Sequence, residues 1–141
     1  MGAINYKEAQ ILLVEDDEID AMSVFRAFKS LRVCNPIVRA KDGIEALELL
    51  ENGTISRPYV ILLDLNMPRM GGVEFLQELR KHEKFNSSVV FVLTTSKADE
   101  DKMAAYDLHI AGYIVKESLQ SDFGELVKML DHYWKLVELP H

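Results

Sequence analysis

Five short apolar runs, at residues 11–14, 37–40, 59–63, 89–93 and 113–115, recur along the chain, and helical periodicity follows each of them. The runs are rich in Val, Ile and Leu and mostly unbroken by polar residues, as strands covered on both faces of a parallel sheet are. Between them, apolar residues fall three or four positions apart. Ile19, Met22, Phe25 and Phe28 make one stripe; Ile44, Leu47 and Leu50 a second; Val73, Leu76 and Leu79 a third. Met103, Tyr106 and Leu108 follow, then Leu126, Met129, Leu130, Tyr133 and Val137. Gly53 stands just after the second stripe, where a glycine ends a helix. Five strand–helix units predict an α/β domain, a doubly wound parallel sheet with helices on both faces.

The length of 141 residues suits one domain, residues 1–141. Acids outnumber bases, 23 to 16, for a net charge of −7. That balance argues against nucleic acid as the main partner, because such binding depends on neutralising phosphates. The apolar runs are far shorter than the ~20 residues that span a bilayer, which argues against a membrane protein. Residues 1–8 lack the apolar core of a signal peptide. Cys34 is the sole cysteine, so no internal disulfide is available, and it reads as a small buried side chain. These features together predict a cytoplasmic protein.

In a doubly wound sheet, ligands bind beyond the carboxyl ends of the strands. Here the first run ends in Glu15-Asp16-Asp17, the third in Asp64, the fourth in Thr94 and the fifth in Lys116. Each alone has an ordinary explanation: an acidic pair caps a helix, an aspartate opens a turn, a threonine caps and a lysine is solvated. Their convergence at adjacent strand ends is what points to chemistry. Two like charges about 4 Å apart repel by about 4 kcal/mol at an effective dielectric of 20. Clustered carboxylates therefore need a cation or a proton. Lys116 supplies one charge, and a hard divalent ion such as Mg²⁺, which prefers oxygen ligands, supplies more. Phosphoryl transfer to a carboxylate needs little beyond positioning and charge neutralisation. On this reading Asp64 is the nucleophile. Asp16 and Asp17 hold the metal together with Asp64, directly or through water, and the backbone carbonyl of Asn66 is a further ligand.

Val14-Glu15-Asp16-Asp17, Leu62-Leu63-Asp64-Leu65-Asn66-Met67-Pro68-Arg69-Met70-Gly71-Gly72, Leu93-Thr94 and Gly112-Tyr113-Ile114-Val115-Lys116 occur in order and at matching spacing. In these the chain resembles the response-regulator receiver family over about residues 9–132, leaving a short C-terminal tail. The resemblance implies a flavodoxin-like strand order 2-1-3-4-5 and a phosphorylation switch of two-component signalling. Such a switch is not an enzyme in the usual sense, although it catalyses its own phosphorylation and dephosphorylation. It implies that Asp64 accepts a phosphoryl group from the phosphohistidine of a sensor histidine kinase, with Mg²⁺. Thr94 would hydrogen-bond the phosphoryl group, Lys116 would bridge to it, and Tyr113 would be the aromatic switch coupled to Thr94. Two departures stand out. Gly71 occupies a position where many members carry an acid, and Glu117 follows Lys116 where the family usually has a proline after a cis peptide. A cis bond costs about 0.5–1 kcal/mol before proline and about 3–4 kcal/mol elsewhere. Either surrounding contacts hold a cis bond or the loop is rearranged, and Glu117 could compete for Lys116.

Leu93-Thr94-Thr95-Ser96, Tyr106-Asp107-Leu108-His109 and the tail Trp134-Lys135-Leu136-Val137-Glu138-Leu139-Pro140 further resemble single-domain regulators paired with phytochrome-type histidine kinases. His109 reads as a polar residue at the end of the fourth helix. The resemblance suggests a homodimer through the fourth helix, fifth strand and fifth helix. The apolar tail offers two alternatives: it folds back on its own domain, or it joins a dimer or kinase contact with Trp134 as anchor. A haloacid-dehalogenase-like hydrolase also uses an aspartyl phosphate, but it needs a second aspartate two residues after the nucleophile, and that position is Asn66. A degenerate binding module that has lost phosphorylation would lack the counterparts of Asp64 or Lys116.

Overall fold

The computed structural model describes residues 9–119 and 123–140. Residues 1–8, read above as lacking a signal-peptide core, lie outside them. Five parallel strands, β1 (Gln10–Val14), β2 (Ile37–Ala40), β3 (Tyr59–Leu63), β4 (Val89–Thr94) and β5 (Gly112–Val115), form one sheet in the order β2-β1-β3-β4-β5. Helices α1 (Glu18–Ser30), α2 (Gly43–Glu51), α3 (Gly72–Lys81), α4 (Asp99–Asp107) and α5 (Gly124–Leu136) link or follow them. No described helix is long and apolar enough to cross a membrane.

Because side chains alternate across a strand, each central strand feeds two cores. Leu12, Val14, Ile61, Leu63, Val90 and Val92 join Ala46, Phe75, Leu76 and Ala105 on the α2–α3–α4 face. Ile11, Leu13, Val60, Leu62, Phe91 and Leu93 join Val24, Phe28, Leu126, Leu130 and Trp134 on the α1–α5 face. Gly53 has φ +83° immediately after the α2 cap, Asn52, as the C-terminal signal predicts.

Three local expectations change, and one open alternative is resolved. Of the α1 stripe only Phe28 faces the core: Ile19 is 77% exposed, and Met22 and Phe25 are exposed too, while Ala21, Val24 and Ala27 are buried beside Phe28. Small residues there let the helix backbone lie close to the sheet, and hydrophobicity alone does not reveal that choice. In α4 the stripe fails for the same reason: Ala105 is buried while Met103 and Tyr106 are exposed. Cys34 is exposed rather than buried, in the loop before the edge strand β2. Trp134 is 0% exposed and stacks on Phe28 at 6.4 Å between centroids. The tail folds back, seating Leu139 in the same core, so Trp134 is not an exposed anchor for a partner. Leu136 remains outside at 83% exposure.

Candidate functional site

β1, β3, β4 and β5 end side by side. In register, Val14 lies against Leu63, Leu63 against Val92, and Thr94 against Val115. Asp64, Glu15 and Lys116 therefore emerge one residue beyond the strands, with Thr94 closing β4. Asp64 is only 6% exposed. One of its carboxylate oxygens, Oδ1, accepts the Asn66 N–H at 3.2 Å, and the other, Oδ2, lies 3.8 Å from the Lys116 Nζ. Close packing beneath it is possible because α3 begins with glycine: a Cβ on Gly72 would fall 2.6 Å from the Asp64 carbonyl oxygen and 2.6 Å from the Leu65 Cα.

Carboxylate oxygens of Glu15, Asp16 and Asp64 lie within 4.8 Å of one another. Asp17, expected among the metal ligands, is outside this group. Its side chain accepts the Asp20 N–H at 3.0 Å and caps α1. The reason is local geometry. Glu15 extends the β1 ladder by one rung, donating its N–H to the Ala40 carbonyl at 2.9 Å. Asp17, two residues on, stands at the helix cap, where a carboxylate satisfies free N–H groups. The acidic pair turned to Asp64 is thus Glu15–Asp16.

Burial pushes the Glu15 carboxyl up to about 7; the Lys116 hydrogen bond opposes this and the charge on Asp64 reinforces it. Lys116 donates to Glu15 at 2.8 Å and to Asp20 at 2.6 Å. Burial alone would lower its ammonium, but bonds to Asp20 and Glu15 and the nearby Asp64 charge raise it on balance. Asp20 was not anticipated from sequence. The available signal was its place in the first turn of α1, three residues after the cap. The packing of three carboxylates around a single lysine leaves surplus negative charge in a poorly solvated place, and all-oxygen donors suit a hard divalent cation. The residues present therefore fit a metal.

Two arginines brace the loops. Arg39 on β2 donates from Nε to the Glu15 carbonyl at 2.9 Å and from Nη2 to the Asp16 carbonyl at 3.0 Å, and its Nη1 pairs with Glu18 at 2.9 Å. Arg69, at φ +60° in the β3–α3 loop, reaches the buried Asp42 carboxylate at 2.6 Å. Burial alone would raise that carboxyl, but the Glu45 amide and the Arg69 guanidinium together hold it below its ordinary range.

Thr94 is fully buried, and its Oγ1 accepts the Ser96 N–H at 3.3 Å. The Tyr113 hydroxyl donates to the Ser96 carbonyl at 3.0 Å, so both expected switch residues meet at Ser96. The Lys116–Glu117 peptide is trans: the cis bond among the described residues is Arg57–Pro58. Lys116–Ser118 forms a 3₁₀ turn, and Glu117 pairs with Lys97 instead of competing for Lys116. His109 sits exposed just past α4 at φ +64°.

The family model described as response regulator receiver domain matches residues 11–131. The chain is 38% identical over 127 residues to the probable methanogenesis regulatory protein FilR2 of Methanothrix harundinacea, spanning 88% of this chain and 82% of that protein. It is 34% identical over 135 residues to the response regulator Rcp1 of Synechocystis sp., spanning 92% of each. The crystal structure of the Mn²⁺-bound form of Rcp1 superposes with a TM-score of 0.82 at 33% identity, covering 94% of this chain and 99% of that one. The crystal structure of the phosphorylated cyanobacterial phytochrome response regulator RcpA gives 0.84 at 34% identity, covering 95% and 99%.

Proposed function

Because the chain belongs to the response regulator receiver family, whose members are phosphorylation-dependent signalling switches, we propose that Asp64 is its phosphoryl acceptor. One observation carries the reading: the Asp64 carboxylate is held at the end of β3 with the Lys116 ammonium 3.8 Å away and the Glu15 and Asp16 carboxylates clustered beside it. The donor is the phosphohistidine of a sensor histidine kinase, of phytochrome type by analogy with RcpA. An Asp64 oxygen bonds to phosphorus as the bond from phosphorus to the donor imidazole nitrogen breaks, so the group moves without a change of oxidation state.

The divalent cation would be Mg²⁺, and Glu15, Asp16 and Asp64, with the Asn66 carbonyl, would hold it. Asp17 contributes by capping α1 rather than as a ligand. When bound, the ion supplies positive charge to the transferring phosphoryl oxygens. Lys116 leaves its bonds to Glu15 and Asp20 to meet the phosphoryl group, and the Thr94 hydroxyl donates to another of its oxygens. Movement of Thr94 is felt at Ser96, where Tyr113 is bonded, and so at the start of α4. The exposed Met103 and Tyr106 lie on that helix, and the α4–β5–α5 face is the surface we assign to a homodimer or a downstream protein. The same groups carry out transfer to Asp64 and its later hydrolysis. Their place of action is the cytoplasm, where the kinase would present its phosphohistidine.

The test is Asp64→Asn, labelled with a phosphorylated histidine kinase or with acetyl phosphate and read by intact mass. The wild type gains one phosphoryl group in Mg²⁺ and the variant gains none while keeping its circular dichroism. An undiminished acid-labile label on the variant would falsify the assignment. Turnover of a generic phosphate ester would instead support the hydrolase alternative.

A further inference from the structure

We propose that Arg39 is a positioning residue for the cation site, holding the Glu15–Asp16 loop in the shape that brings both carboxylates to Asp64. The inference rests on the metal reading above. Past Val14 the β1–β2 ladder gives one last bond, Glu15 N–H to Ala40. Beyond it β2 has ended, and the Glu15 and Asp16 carbonyls no longer face a strand. Arg39, one residue earlier on β2, bonds both of them with adjacent nitrogens of a single guanidinium and anchors its third nitrogen on Glu18, in the first turn of α1. Its side chain is only 16% exposed. The two residues it fixes by their carbonyls are the two whose carboxylates cluster with Asp64.

A planar fork suits this task and an ammonium does not. Arginine presents its donors in fixed relative directions, whereas lysine is a point charge on a flexible stem. The placement also separates two roles that predict opposite signs. If Arg39 mattered only as a nearby positive charge, it would repel the cation, and removing it would tighten binding. If it holds the loop, removing it lets Glu15 and Asp16 spread, and binding weakens although the repulsion is gone.

The experiment titrates Mg²⁺ into the wild-type chain, Arg39→Lys, Arg39→Gln and Glu18→Gln by calorimetry, with thermal melts of each in metal-free buffer. Arg39→Lys keeps the charge and most of the stem, so it isolates the fork. Glu18→Gln removes the exposed anchor and leaves both carbonyl bonds. Both Arg39 variants are expected to bind Mg²⁺ about tenfold more weakly, the low end for groups that orient metal ligands. Glu18→Gln should stay within about twofold of wild type, since an exposed pair contributes little. Tighter binding in Arg39→Gln with no change in Arg39→Lys would leave Arg39 a mere charge and overturn the proposal. Lower melting temperatures with unchanged affinity would reduce it to a fold contact and overturn it equally. If Arg39→Gln does not fold, Arg39→Lys alone decides between these outcomes. A wild type that binds no Mg²⁺ would overturn the metal reading itself and this inference with it, a result distinct from equal affinity across the series.

Discussion

Truncating Trp134 should unfold the protein far more readily without touching its chemistry. The indole is wholly buried, stacks on Phe28 and lies in the α1–α5 core with Leu126, Leu130 and Leu139. Trp134→Ala removes those contacts and leaves a cavity, which costs about 3–5 kcal/mol for a large aromatic. Trp134→Phe should behave differently. The indole Nε1 is buried with no hydrogen-bond partner among the described residues, so losing it returns about 1–3 kcal/mol of unmet desolvation. The smaller ring gives up two carbon atoms at about 0.8 kcal/mol each. The two terms nearly cancel, and Trp134→Phe should lie within about 1 kcal/mol of wild type. Urea unfolding followed by far-ultraviolet circular dichroism measures both, since Trp134 is the only tryptophan and its fluorescence goes with it. An unchanged m-value would show that the folded and unfolded states keep their compactness. Acetyl phosphate labelling of folded protein should be the same in all three, because Trp134 lies beside Pro58, at the end of β3 away from Asp64. A cost below about 1 kcal/mol for the alanine variant, or equal costs for both variants, would refute the reasoning that the tail is part of the core.

Mg²⁺ at ten times its Kd should stabilise the wild type by about 1.4 kcal/mol. The melting temperature should then rise by several degrees, and indifference to Mg²⁺ would remove the carboxylate cluster as a metal site. Gly72→Ala places a methyl against backbone atoms of Asp64 and Leu65, so it should destabilise by about 1–3 kcal/mol and slow labelling, both read on one preparation. The Asp42 carboxyl is held below its ordinary range, so the folded state binds fewer protons there than the unfolded chain. Its contribution is present above the unfolded value of about 3.9 and is lost as pH falls through the lower folded value. The stability gap between wild type and Asp42→Asn should therefore close on acidification in urea titrations, and a gap that widens would reverse the sign.

The sheet was legible because buried parallel strands have few ways to be written: Val60-Ile61-Leu62-Leu63 has little alternative. Asp64, Thr94 and Lys116 followed from the rule that sites lie beyond strand ends. What escaped depended on a single residue of phase. Choosing between Glu15 and Asp17 required knowing that β1 pairs for one rung past Val14 and that α1 takes Asp17 as its cap. Asp20 reaches Lys116 from a helix whose buried side mixes Ala21 and Ala27 with Val24 and Phe28, and a search for large apolar residues alone turned most of that helix the wrong way. Arg39 and Arg69 were invisible because each bonds across loops far apart in sequence. The tail held two readings, and only the depth of the groove for Trp134 and Leu139 separates them.

The alternation along the central strands has a consequence for how such a chain can diverge. Neighbours in sequence such as Ile11 and Leu12, or Val60 and Ile61, belong to different cores. Substitutions without shared partners add independently. A lineage can therefore revise the α1–α5 side, step by step, while the α2–α4 side keeps its own packing, and the reverse. What both histories must leave alone is the thin rim of residues where the strands stop, since Glu15, Asp64 and Lys116 are tied to one another across it. The fold behaves as two evolvable slabs sharing a fixed seam, so descendants can change what they recognise on either flank while inheriting the same reaction.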